Sequence, residues 1–155
     1  MGKALDLYDK EEFAQCLDCA ICTGSCPAVR VVPEYTSPRE LILRYILYDT
    51  QNQVLDNTFL WCCTTCHTCQ ARCPHNIRIS GLLTHIMNLA ARRGNIPKAL
   101  REGIRLMAET GWSVQATSHA RRIREEIGLK SLEQPKVKDI QDIFREAGLF
   151  DILDL

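Results

Sequence analysis

Two cysteine runs of identical spacing constrain the fold of this chain more than any other feature of its sequence. Each run reads C-x2-C-x2-C-x3-C-P, and equivalent cysteines are 47 residues apart. The first run contributes Cys16, Cys19, Cys22 and Cys26, followed by Pro27, and the second contributes Cys63, Cys66, Cys69 and Cys73, followed by Pro74. This internal repeat predicts two equivalent thiol-rich loops, around which the rest of the chain must be organised.

The spacing within each run is typical of ligands to [4Fe–4S] clusters. Four thiolates hold each cluster, and in two-cluster proteins with this run the fourth cysteine binds the cluster of the other run. We therefore expect the first cluster to be held by Cys16, Cys19, Cys22 and Cys73. The second would be held by Cys63, Cys66, Cys69 and Cys26. Because each run serves both clusters, the two must lie close together, and neither keeps an open iron position for a substrate.

Zinc is the alternative occupant, and the runs fit it poorly. Structural zinc sites favour two C-x2-C pairs, or pairs of cysteine and histidine, whereas each run here holds four cysteines and ends in proline. The remaining cysteine, Cys62, is interpreted as a packed thiol, with a redox or ligand role as the alternative. His67 and His75 are interpreted as loop residues, although either can tune a cluster by hydrogen bonding. Trp61 either covers the second cluster or packs in the core.

The rest of the chain carries helical signals and no alternating strand pattern. Residues 37–40, Ser-Pro-Arg-Glu, combine a serine cap, proline at the first helical position and the glutamate of a capping box. This helix is predicted to reach about Tyr48. Ser80 would cap a second helix that ends at Gly94. Further helices are predicted from Asn95 to near Gly111, from about Ser113 to Ile127 and from Val137 to Ala147, so the expected fold class is all-α.

Composition and charge narrow the function. Lys and Arg together number 19, as do Asp and Glu, so the chain has no net charge to attract nucleic acid. No apolar run approaches the roughly 20 residues of a membrane-spanning helix, and the first residues lack the apolar segment of a signal peptide. We therefore expect a cytoplasmic protein with no direct membrane insertion. Nine cysteines in that reducing compartment indicate metal binding rather than disulfides.

The two runs and their surroundings resemble the C subunit of heterodisulfide reductase. The segments that carry the resemblance are Cys16–Pro27, Trp61–Cys69 and Ile79–Gly94. The resemblance covers roughly residues 10–110. The tail from Ser113 matches less distinctly and is as similar to the related subunits of sulfur-oxidising bacteria as to those of methanogens. The resemblance implies an α-helical ferredoxin fold over 1–110. Residues 111–155 would form a helical extension that docks partners.

The resemblance also implies a role as the electron-transfer subunit of an oxidoreductase complex. The chain would relay electrons between a flavin-containing partner (the A subunit) and a catalytic partner that carries CCG motifs (the B subunit). Cys62 and Cys63 are followed by Thr64 rather than glycine, so no catalytic site is expected in this chain. A free-standing ferredoxin-like carrier, or the equivalent subunit of a sulfur-oxidising complex, remains the alternative.

Overall fold

The computed structural model describes Tyr8 and residues 10–48 and 50–153. These residues form helices, turns and loops, and no β-strand occurs among them. The all-α prediction is therefore confirmed. The chain divides into two compact units, Met1–Ile96 and Pro97–Leu155.

Among the described residues of the first unit there are seven α-helices, of which six are very short. They are α1 (Lys10–Ala14), α2 (Ile21–Ser25), α3 (Pro27–Val31), α4 (Pro38–Ile42), α5 (Gln51–Leu55), α6 (Thr68–Ala71) and α7 (Ile79–Arg92). Two 3₁₀ turns, Gln15–Leu17 and Thr58–Cys62, and a π turn, Leu43–Leu47, lie between them. Isolated helices shorter than about 12 residues are marginal in water, so packing and site contacts must hold α1–α6 in place.

The packing is supplied by a core in which α4, its π continuation and α7 meet. Leu41, Ile42, Tyr45 and Ile46 recur at helical spacing, and all four are buried. They join the buried face of α7, which consists of Ile79, Leu82, Leu83, Ile86 and Ala90. Cys16, Cys22 and Cys69 belong to the same buried cluster, so the core extends directly to the two cysteine runs.

The predicted start of α4 is confirmed. The Ser37 side chain accepts a hydrogen bond from the Glu40 backbone N–H at 3.2 Å, and Pro38 occupies the first turn. The π turn carries the helical path on to Leu47, and Tyr48 terminates it. A polar cap, a proline and an apolar face thus lie within one continuous stretch of sequence.

The predicted cap of α7 is wrong. The helix begins at Ile79, so Ser80 lies inside its first turn and does not cap it. The Ser80 backbone N–H and hydroxyl instead both donate to the Gln70 side-chain oxygen. A side chain of the second cysteine run therefore receives the free donors at the start of α7.

The second unit contains α8 (Lys98–Thr110), α9 (Ser118–Glu126), α10 (Val137–Glu146) and α11 (Leu149–Leu153). The helix predicted to start at Ser113 starts later, because the Thr117 side chain caps α9 by accepting from the Ala120 backbone N–H at 3.1 Å. The short helix α11 was not predicted. Helix α8 packs against α10, and α10 against α11.

The boundary between the compact units falls between Ile96 and Pro97, whereas the sequence divides the chain by function at 110/111. Helix α8 therefore belongs to the second unit. The functional division, with docking assigned to residues 111–155, stays a prediction. In the part of the chain that the structure describes, no helix is both long enough and apolar enough to cross a membrane.

Candidate iron–sulfur centres

The two cysteine runs lie side by side and are related by the repeat. Helices α2 and α6 occupy equivalent positions in the two runs and pack against each other. The residues that precede the two fourth cysteines, Ser25 and Arg72, are also equivalent. The Arg72 guanidinium donates to the Ser25 hydroxyl at 3.5 Å. This arrangement brings the ends of the two runs together.

A first cavity, of about 270 Å³, opens between the runs. Its lining includes Cys16, Cys19, Cys22 and Cys73, with Ile21, Pro74, His75, Ile77 and Ile79 around them. Three of the thiols come from the first run and the fourth from the second. These four are the cysteines that the sequence groups as ligands of the first cluster.

A second cavity, of about 480 Å³, has the complementary lining. Its four cysteines are Cys63, Cys66, Cys69 and Cys26. Tyr35, Thr65, His67 and Leu83 are among the other residues around it. The eight cysteines of the runs therefore separate into two sets of four, each with one member from the other run.

Electrostatics link the thiols within each cavity and between the two. Burial, and then the neighbouring thiols of Cys22 and Cys73, raise the pKa of Cys16 to about 11. Burial also raises the pKa of Cys69 to about 11, and the thiols that add to this effect include Cys63 and Cys22. Cys22 and Cys69 line different cavities, so the two sites are near neighbours.

The donor set fits two [4Fe–4S] clusters. Four thiols surround each cavity, and soft thiolates are the ligands that hold such clusters. Crowded, half-buried thiols lose their protons only where positive charge compensates them. Within the described residues, no three His, Cys, Asp or Glu side chains converge closely enough to bind a single metal ion; the eight thiols are distributed around two larger spaces.

The two loops differ in backbone conformation despite their identical spacing. Thr65 and His67 have left-handed φ angles of 51° and 59°. The equivalent residues of the first run, Asp18 and Ala20, have φ angles of −102° and −128°. Non-glycine residues in the left-handed region are uncommon and store strain. The second loop therefore takes a more strained path, and Cys66 is exposed within it.

Hydrogen bonds from Arg39 fix the first loop. Its Nε donates to the Cys16 carbonyl at 2.7 Å, and its Nη2 donates to the Leu17 carbonyl at 2.5 Å. The same guanidinium charge acts to lower the pKa of Cys16, against the larger effect of burial. Sequence reasoning used Arg39 only as part of a helix start, and nothing local indicates its contact with a loop 22 residues earlier.

The other residues singled out in the sequence lie around the two cavities. Cys62 is half-buried and packs against the small cluster formed by Cys26, Ala28 and Tyr35, and it lines neither cysteine cavity. His75 lines the first cavity and His67 the second, and both are exposed.

Trp61 packs against the main core, and its Nε1 donates to the Asn95 carbonyl at 2.9 Å. Its packing therefore agrees with the second of the two predicted roles. Tyr35, which lines the second cavity, was missed in the sequence.

A family model described as a 4Fe-4S dicluster domain matches residues 12–77. The match spans both cysteine runs and ends shortly before α7. A dicluster domain carries two [4Fe–4S] clusters, in agreement with the two cysteine sets.

Relatives extend the similarity beyond that domain. The chain is 37% identical over 126 residues to the C subunit of ferredoxin:CoB–CoM heterodisulfide reductase of Methanosarcina mazei, covering 79% of this chain and 74% of the relative. It is 35% identical over 126 residues to the iron–sulfur C subunit of CoB–CoM heterodisulfide reductase of Methanopyrus kandleri, covering 79% and 64%.

The similarity covers most of the chain in a third relative. This is the C subunit of H(2):CoB–CoM heterodisulfide,ferredoxin reductase of Methanothermobacter thermautotrophicus, which is 30% identical over 149 residues, covering 92% of this chain and 78% of the relative. The chain thus spans less than two thirds of the Methanopyrus kandleri protein and about three quarters of the other two.

Proposed function

The chain belongs to the family of heterodisulfide reductase C subunits, and we propose that its two crossed cysteine sets make it an electron relay inside such a complex. Family membership makes it an iron–sulfur electron-transfer subunit with two [4Fe–4S] clusters. In the proposal, Cys16, Cys19, Cys22 and Cys73 hold the first cluster. Cys63, Cys66, Cys69 and Cys26 hold the second.

The observation that carries the proposal is the division of eight thiols between two neighbouring cavities. A cluster with four thiolate ligands has no free position for a substrate, so such a pair of sites accepts and passes electrons. The only cysteine outside the two sets, Cys62, packs beside Tyr35 and Cys26. It has no second free thiol with which to form a catalytic pair, because the other eight serve as ligands.

Both sites reach the surface, which a relay requires. Leu17 and Ile21 of the first loop are each 46% exposed, and residues 64–67 of the second loop are exposed as well. A partner that covers one loop can deliver electrons to the first site, and a partner at the other loop can withdraw them. We propose that these partners are the flavin-containing A subunit, together with the catalytic B subunit that carries CCG motifs, in a cytoplasmic complex.

The second unit offers apolar side chains for such partners. Val114, Ile127 and Ile143 are 77%, 65% and 62% exposed, and burial of such apolar side chains against a partner is favourable. We propose that residues 111–155 contribute to docking within the complex. The relatives named as parts of CoB–CoM heterodisulfide reductases support this role.

The experiment is an anaerobic assay of the purified chain, by itself and with added subunits. By itself, it should exchange electrons with viologen dyes and reduce no CoB–CoM heterodisulfide. Turnover should appear when a CCG-type subunit is added, and a flavin subunit should be needed for a physiological donor. Turnover by the isolated chain that is lost in Cys62→Ser would contradict the relay, and native purification without any companion subunit would favour a free ferredoxin.

A further inference from the structure

Tyr35 is a buried phenol at the second cavity. It lies between α3 and α4, its side chain is 5% exposed, and it packs with Cys26 and Ala28. Together with the four cysteines it lines the second cavity. Its hydroxyl oxygen is buried and makes no hydrogen bond to any described residue. The Cys63 thiol is near enough for both its charge and a weak hydrogen-bonding contact to act on the hydroxyl, but that contact falls short of full hydrogen-bond geometry.

The backbone around Tyr35 is fixed on both sides. The Tyr35 N–H donates to the Val32 carbonyl at 3.1 Å. The next side chain, Thr36, accepts a hydrogen bond from Asn57 Nδ2 at 2.9 Å, and Asn57 in turn caps the 3₁₀ turn that leads into Cys63. The position of the Tyr35 backbone is therefore tied to the segment that carries the second run.

Buried hydroxyl groups in folded proteins almost always have a partner, because burying one without a hydrogen bond is unfavourable. Tyr35 lines the same cavity as the ligand set Cys26, Cys63, Cys66 and Cys69, and three of these thiols are near enough for their charges to act on its hydroxyl. We propose that the Tyr35 hydroxyl donates a hydrogen bond to a sulfur atom of the second cluster and raises the reduction potential of that cluster. This inference rests on the proposed function, since it takes those four cysteines as the ligands.

The direction of the shift in reduction potential follows from the charge of the cluster. Reduction adds one negative charge to the cluster, so a fixed donor stabilises the reduced state more than the oxidised state, and hydrogen bonds to cluster sulfurs are among the factors that set the potential. A tyrosine hydroxyl has a pKa of about 10, so near neutral pH the phenol keeps the proton that it donates. No tyrosine lines the first cavity, which makes the effect specific to the second cluster.

The test is Tyr35→Phe in the complete protein, which removes the donor and keeps the ring. At a fixed ambient potential near the midpoint, the ratio of reduced to oxidised second cluster should fall about tenfold, which is about 59 mV for a one-electron couple. The first cluster should not shift. Tyr45→Phe is the matched control, because Tyr45 is similarly buried in the same unit and lines neither cysteine cavity. The readout is a redox titration followed by EPR.

Iron analysis separates this inference from the proposed function. If wild type and Tyr35→Phe both contain about eight irons and the second cluster keeps its potential in the variant, the hydrogen bond is refuted and the ligand assignment stands. Wild type with a single cluster, or with zinc, would refute the assignment itself.

A second measurement tests the proposal even if the Tyr35→Phe variant loses its clusters. Wild-type protein grown with 3-fluorotyrosine keeps the hydroxyl and makes it a stronger donor. The potential of the second cluster should rise, while no change or a fall would refute the proposal.

Discussion

Replacement of Cys73, in the second run, by alanine should remove the cluster whose other three proposed ligands lie in the first run. Cys73 ends the second run in sequence but lines the first cavity with Cys16, Cys19 and Cys22. Losing one of four thiolates should abolish that cluster and leave the second intact, so iron should fall from about eight to about four atoms per chain. Cys26→Ala is the matched change in the first run and should produce the same loss at the second cavity.

Pairs of substitutions identify which cluster is lost without any need to resolve two spectra. Cys73→Ala combined with Cys16→Ala affects one cavity only, so the double variant should retain about four irons, as the single variant does. Cys73→Ala combined with Cys66→Ala affects both cavities, so almost no iron should remain. Alanine is preferred to serine because a serine oxygen can replace a thiolate as a ligand.

Iron and acid-labile sulfide would be measured after anaerobic reconstitution, with circular dichroism to confirm that each variant keeps its helices. If each run instead held its own cluster, the pattern would be reversed. The pair Cys73→Ala and Cys66→Ala would then keep about four irons, and the pair Cys73→Ala and Cys16→Ala would keep none. That reversed pattern would refute the crossed assignment.

Two further predictions concern packing and thiol chemistry. Gly111→Ala should destabilise the protein more than Gly128→Ala does, as measured by urea unfolding. Both glycines have positive φ angles, but a Cβ at Gly111 would lie 2.6 Å from the Pro135 Cβ, whereas one at Gly128 meets nothing within 4 Å. Equal losses of stability would contradict the close packing of Pro135 on the end of α8. In the metal-free chain near neutral pH, Cys66 should be alkylated much faster than Cys16. Hydrogen bonds with Thr68 lower the pKa of the exposed Cys66 thiol, whereas burial raises the pKa of Cys16 to about 11. The rate at Cys16 should rise with pH up to its pKa of about 11, and peptide mapping by mass spectrometry that finds equal rates would contradict this difference.

The features that sequence could predict are those whose determinants lie within a few neighbouring residues. The cap of α4 is one, since Ser37, Pro38 and Glu40 are almost adjacent. The start of α7 could not be predicted, because the hydroxyl of Ser80 is occupied by Gln70, ten residues earlier. The serine lies one residue inside the helix, where its N–H and hydroxyl both donate to a side chain that is distant in sequence.

The same distinction between local and distant determinants applies to the candidate iron–sulfur centres. Spacing alone predicts which cysteines form each set, because a short loop can present only three thiols to one cluster. The place of Tyr35 depends on the path of the chain between α3 and α4 and on the Thr36–Asn57 hydrogen bond. No local pattern in the sequence predicts a hydrogen bond between residues 21 positions apart.

Identical cysteine spacing does not make the two sites equivalent, because the residues around the thiols differ. The first loop has the Arg39 guanidinium, a full charge that is partly open to solvent. The second has the neutral hydroxyl of Tyr35, which is buried. Water and salt screen the exposed charge much more than the buried dipole, so the larger formal charge need not have the larger effect on its cluster. Any difference in potential that gives the proposed relay a direction must come from the surroundings of the clusters, which include these two side chains, the backbone path of each loop and its exposure, since the proposed ligands are four thiolates at each site.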